Sequence, residues 1–165
     1  MKQTDILVDI LERGAGMMHR TLADFSDADM KVRPVPNANH AQWMVGHLCL
    51  SELFFLKATG GDVEGLLPEG FGDCFPQTKE RANECTSSLS KTELLAVFDK
   101  VRARSVEYVK SLDDAALLRK LPSPLSQGKT ETTVGFLLNM PALHLSMHIG
   151  QMQVIRRVLG KPLLF

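Results

Sequence analysis

His144 and His148 lie four residues apart among Leu143, Leu145, Met147 and Ile149. In a helix this spacing sets two imidazoles one turn apart on one face, where they can chelate a divalent ion. Their neighbours are apolar, and a buried imidazole needs a hydrogen-bond partner or a metal to offset its desolvation. Two core histidines with ordinary hydrogen bonds are the alternative, and the spacing alone leaves it open. The zinc-protease string His-Glu-x-x-His is absent, because residue 145 is Leu. His47 adds a third imidazole, at helical spacing with Trp43, Leu50 and Phe54 on an apolar face. If those two helices meet in a bundle, three histidines share one ion and leave a fourth position open, as in catalytic zinc sites.

Other polar residues near these positions carry less. Gln151 stands seven residues beyond His144 on the same face, where it holds a water or substrate or, as the favoured reading, packs a helix. Trp43, one turn before His47, walls a pocket or fills the core, with the core favoured. Glu52 is five residues past His47, about 140° round the helix, so it is expected to face away and pair with another segment. His40, at a helix start, and His19, beside Met18, read as surface or packing residues.

Four helical segments must position these groups. The first runs from about Thr4 to Phe25, with Ile6, Leu7, Ile10, Leu11, Met17, Met18, Leu22 and Phe25 in one stripe. Gly14 and Gly16 interrupt it, either to admit a neighbouring helix or to mark a bend. The second runs from about His40 to Ala58, with Asn39 as N-cap and Gln42 as its capping-box partner. Residues 60–89 are rich in Gly and Pro and form a long connection, with a short helix expected near Lys79 to Glu84. Ser90 with Glu93 opens the third helix, which runs to about Leu112. The fourth runs from about Thr132 to Leu159 through Pro141, which is expected to bend it. Because it is apolar almost all round between Val134 and Ile149, it is expected to be the most buried element. The fold class is therefore all-α: a four-helix bundle, read as one domain over residues 1–165, with a long connection between helices two and three that permits a crossover.

Composition excludes several function classes. Nineteen basic residues balance nineteen acidic ones, so no concentrated basic surface points to a nucleic-acid partner. No apolar run reaches the roughly 20 residues of a membrane span. The first residues lack a signal-peptide pattern, and a cytoplasmic protein is expected. Cys49, Cys74 and Cys85 are odd in number and lack Cys-x-x-Cys spacing. Neither a disulfide framework nor a thiolate zinc site is expected, and a reactive thiol needs a depressed pKa.

Three stretches resemble the DinB/YfiT-like metal-binding superfamily. They are Arg33-Pro34-Val35-Pro36 through Trp43-Met44-Val45-Gly46-His47-Leu48 to Glu52, Thr133-Val134-Gly135-Phe136-Leu137-Leu138 leading to His144, and His144-Leu145-Ser146-Met147-His148-Ile149-Gly150-Gln151 with Ile155 to Gly160. The resemblance covers the chain in helix order and length, and Pro141 departs from its pattern. It implies a four-helix bundle in which His47, His144 and His148 bind zinc or nickel, often in a homodimer. It also implies chemistry on a small-molecule substrate, by thiol-dependent transfer or isomerisation with a low-molecular-weight thiol cosubstrate; a metal held by three neutral histidines also fits hydrolysis by metal-bound hydroxide. A non-enzymatic metal-binding stress or interaction module is the rival reading. No carboxylate base is evident beside the histidines, which favours the thiol chemistry over hydrolysis.

Overall fold

The local chemistry of the helix ends sets the frame. The computed structural model describes residues 2–77 and 85–164. In chain order it contains α1 (Gln3–Leu22), α2 (Ala41–Thr59), α3 (Phe71–Cys74), α4 (Lys91–Ser111), α5 (Asp114–Leu118), β1 (Lys120–Pro122), β2 (Glu131–Thr133) and α6 (Val134–Val158). Ser90 and Glu93 close the expected capping box on α4: the Ser90 amide donates to Glu93 Oε2 at 2.8 Å, and the Glu93 amide to Ser90 Oγ at 3.3 Å. Thr133 Oγ1 accepts from the Phe136 amide to start α6, which runs unbroken through Pro141. The cap of α2 differs from expectation. His40, not Asn39, holds the N-cap, and its Nδ1 accepts from the Trp43 amide at 3.0 Å. Gln42 turns inward instead and donates to the Leu89 carbonyl at 3.0 Å, tying the start of α2 to the segment before α4. A neutral imidazole offers an acceptor nitrogen that serves the exposed amide as an Asn oxygen does.

The long helices form a square in which α1 and α2 each pack on both α4 and α6. Directions follow from paired residues. His19 meets Asp99 and Leu22 meets Lys91, so α1 and α4 are antiparallel. Glu52 meets Arg102 and Thr59 meets Tyr108, so α2 and α4 run the same way. Parallel neighbours cannot be joined by a tight turn, and the long 60–90 connection is the return path they require. The stretch Lys79–Glu84, where a short helix was expected, lies outside the described residues. Between α4 and α6 the chain makes a two-stranded antiparallel hairpin with Lys120 opposite Thr133. Its three-residue strands are too short to leave an alternating pattern.

Among the described residues two apolar clusters fill the bundle: a large one around Trp43, Met44, Phe75, Phe98 and Ile149, and a smaller one around Leu11, Val109 and Leu138. Glu52 faces away from the histidines, as its helical angle predicts, and forms a buried ion pair with Arg102 at 2.9 Å. Gly14 admits a neighbour, since a Cβ there would lie 2.9 Å from Leu145 Cδ2. Gly46 is more constrained, because a Cβ would fall 2.3–2.5 Å from three ring atoms of Phe75. Gly46→Ala is therefore expected to displace Phe75 and the residues after it, lowering stability by about 1–3 kcal/mol in a denaturant titration.

The expectation that α6 is the most buried element needs correction: 11 of its 25 residues are buried, against 13 of the 19 in α2. Phe136, Leu143, Met147, Val154 and Val158 are each about half exposed, and Phe54 on α2 is too. The five on α6 form a stripe on the outer side of that helix, whose other faces touch α1 and α2. Among the described residues no helix is long and apolar enough to cross a membrane.

Candidate metal centre

The antiparallel packing of α2 against α6 brings the three predicted imidazoles together. His144 is the hub: its Nε2 lies 3.1 Å from Nε2 of His47 and 3.0 Å from Nε2 of His148. One nitrogen from each residue falls within 4.8 Å of the others, and among the described residues this cluster could hold a metal ion. Nitrogen ligands of a four-coordinate ion with bonds of about 2.0–2.1 Å sit roughly 3.3 Å apart, close to the two short separations.

The opposite ring nitrogens explain why the Nε2 atoms converge. His47 Nδ1 bonds Gln77 Oε1, His144 Nδ1 bonds Ser51 Oγ at 3.0 Å, and His148 Nδ1 bonds Gln151 Oε1 at 2.8 Å. The Gln77 amide donates its Nε2 hydrogen to the Phe75 carbonyl, which turns its oxygen toward His47. The His47 Nδ1 must then carry a proton and its Nε2 a bare lone pair. Gln151 does the same for His148. Metal-binding histidines characteristically donate their second ring hydrogen in this way, fixing tautomer and orientation. The donor set therefore fits a divalent ion.

Burial pushes the pKa of His144 and of His148 down to about 4, with the neighbouring imidazoles adding to the effect, and pushes His47 down as well. Neutral imidazole is the metal-binding form. Trp43 braces His47 by stacking at 4.5 Å between centroids with ring planes 10° apart, while its indole N–H donates to the Pro76 carbonyl at 2.9 Å. Both readings of Trp43 hold: it is 5% exposed in the core and also lines the cavity. That cavity, of about 610 Å³, is lined by the three histidines, Trp43, Met44, Gln77, Met147, Gln151, Val154 and residues between Pro34 and Asn39. Gln151, for which helix packing was the favoured reading, bonds His148 and lines the cavity.

His40 is buried rather than at the surface, and it reaches the site through Trp43. Its pKa is lowered to about 4 by burial, with Arg33 and Lys31 adding to the effect. A pKa depressed in the folded state means that the unfolded chain takes up the proton first. Stability is then full above about 6.5 and is lost as pH falls toward about 4. His40→Asn keeps a capping acceptor without the titration. It is expected to remove up to about 3 kcal/mol of the acid destabilisation, read from denaturant midpoints of metal-free protein at neutral pH and near pH 4.

Ser51 and Gln77 had no place in the sequence expectation. Ser51 lies one turn beyond His47, so helical spacing could have found it. Gln77 sits in the irregular connection, where no periodicity points to it.

A family model described as the DinB superfamily matches residues 10–152. No curated protein matches the chain. Among solved structures, a conserved protein from Enterococcus faecalis aligns with a TM-score of 0.70 at 18% identity, covering 98% of this chain and 99% of its own. YfiT from Bacillus subtilis aligns with a TM-score of 0.72 at 16% identity, covering 96% of this chain and 89% of its own. YfiT is described as a probable metal-dependent hydrolase with an unusual four-helix bundle topology. At these identities the likeness is one of fold.

Proposed function

The chain belongs to the DinB superfamily, and we propose that it is a zinc- or nickel-dependent enzyme of the thiol-dependent S-transferase or isomerase class, with His47, His144 and His148 as metal ligands. The observation that carries this reading is the lining of the cavity. It joins three neutral imidazoles to carboxamide and apolar side chains and, among the described residues, contains no Asp or Glu. A divalent ion bound there keeps its full charge and lowers the pKa of a thiol or a water that reaches it. Water attack normally also wants a positioned base, whereas a deprotonated thiol needs none. A low-molecular-weight thiol as cosubstrate and a small electrophile as substrate suit the cavity. The residues of this chain orient the imidazoles through Gln77, Ser51 and Gln151 and shield the site with Trp43 and Met147. The second reading, a metal-dependent hydrolase, draws on the description of YfiT.

The test loads the protein with zinc or nickel and assays a panel of thiols with an activated aryl halide, and separately ester and amide panels without thiol. Thiol conjugation that disappears in His148→Ala is the expected result. Hydrolysis independent of thiol supports the hydrolase instead. Silence on all panels with metal bound supports a non-catalytic binding module.

We further propose a cytoplasmic homodimer joined through the exposed stripe of α6. The stripe Phe136, Leu143, Met147, Val154, Val158 carries no charge, so two copies can meet about a twofold axis without like-charge repulsion. Sedimentation is expected to give a dimer for the native chain and a monomer for Leu143→Glu.

A further inference from the structure

Cys74 and Cys85 take no part in the histidine cluster, yet the fold sets them side by side. The Thr86 amide donates to the Cys74 carbonyl at 3.2 Å, joining the end of α3 to the chain around Cys85. Bond lengths then hold the two Cα atoms within about 8 Å at most, and disulfides span about 4.4–6.8 Å. Both side chains are half-buried and pack against the same apolar cluster. The Cys74 thiol is also close enough for its charge to act on Cys85. Cys49, by contrast, is wholly buried inside α2.

We propose that Cys74 and Cys85 are a dithiol oxidised to an intramolecular disulfide by low-molecular-weight disulfides of the glutathione type. One protein thiolate attacks a sulfur of the reagent, forms a mixed disulfide and expels one reagent thiolate. The second protein thiolate attacks the mixed disulfide at the protein sulfur and expels the other. Two protein thiols lose two electrons, the reagent is reduced to two thiols, and the two protons end on those thiols. Burial raises the Cys85 thiol, so the exchange is slow near neutrality and faster at mildly alkaline pH.

The bridge has a consequence for the histidines. Directly after Cys74, Phe75 packs over Gly46, the Pro76 carbonyl receives the Trp43 indole N–H, and Gln77 orients His47. Closing a covalent ring from residue 74 to residue 85 restrains this strip. Oxidised protein is therefore expected to lose zinc to a chelator several-fold more slowly than reduced protein. This last step rests on the metal-centre reading, and the disulfide itself does not.

The test treats metal-free full-length protein with oxidised glutathione, alkylates the remaining thiols after denaturation and maps the peptides by mass spectrometry. The expected product has one alkylated cysteine, Cys49, and a direct Cys74–Cys85 linkage. In Cys74→Ser the reaction is expected to stop at glutathionylated Cys85. Three alkylated cysteines, or lasting glutathione adducts on both Cys74 and Cys85 in the native sequence, would overturn the proposal. Equal zinc-release rates for the mapped oxidised and reduced forms would overturn the link to His47.

Discussion

Replacing His144 with alanine is expected to abolish stoichiometric metal binding while the helical fold survives. His144 is the one histidine whose Nε2 lies near those of both partners, at 3.1 and 3.0 Å. Its loss leaves two donors on different helices with no nitrogen between them. Removing a hydrogen-bond partner that merely orients a ligand typically weakens metal binding about 10–100-fold. Removing a ligand itself is expected to exceed that range, leaving no metal after dialysis. The fold should tolerate the change. The low pKa of His144, about 4, reflects an imidazole held away from water beside two others. Alanine also favours a helix interior. The Ser51 hydroxyl loses its partner but can bond a carbonyl of its own helix instead. Elemental analysis with circular dichroism checks both halves, and a variant that keeps one metal per chain would remove His144 from the centre.

The largest expected effect on stability lies elsewhere, at Arg102. Its guanidinium is 2.9 Å from Glu52, their side chains are 5% and 2% exposed, and its Nη1 also donates to the Leu11 carbonyl. One residue on α4 thus ties α2 and α1 together. Arg102→Ala strands a buried carboxylate whose pKa burial already raises. Breaking one side of such a pair costs about 3–5 kcal/mol. The pair itself is not an optimum, because Glu52 Oε1 and Arg102 Nε have no hydrogen-bond partner among the described residues. Replacing both together, as Glu52→Leu with Arg102→Met, is expected to restore stability to near the native value or above it. Urea titration of the two single variants and the double variant separates these terms. Purely additive losses would contradict the assignment.

Much of this architecture is written in local patterns. The α4 cap could be read from Ser90 and Glu93, and the long helices from their apolar spacing, because helical periodicity and caps are short-range properties. The histidine cluster was legible for the same reason: one turn separates His144 from His148, and His47 lies on the apolar face of its own helix, a ligand set the family resemblance also implies. The sequence is silent where a residue's partner lies far along the chain. Nothing around Gln77 indicates that its carboxamide orients an imidazole thirty residues earlier. Nothing around Gly46 announces the ring of Phe75. The exposed stripe of α6 was misread because apolar content alone does not distinguish a helix buried on all sides from one with a free apolar face. The α2 cap was misread because capping preferences favour Asn, while His40 supplied the acceptor.

The most direct measurement is a titration of metal-free protein with zinc, and separately with nickel. It is followed through Trp43, the one tryptophan in the chain, which stacks on His47, and closed by elemental analysis after dialysis. A fluorescence change that saturates at one ion per chain is expected, with about three nitrogen ligands in the X-ray absorption spectrum of the product. No retained ion with either metal, or a site whose absorption spectrum lacks histidine, would contradict the three-histidine centre.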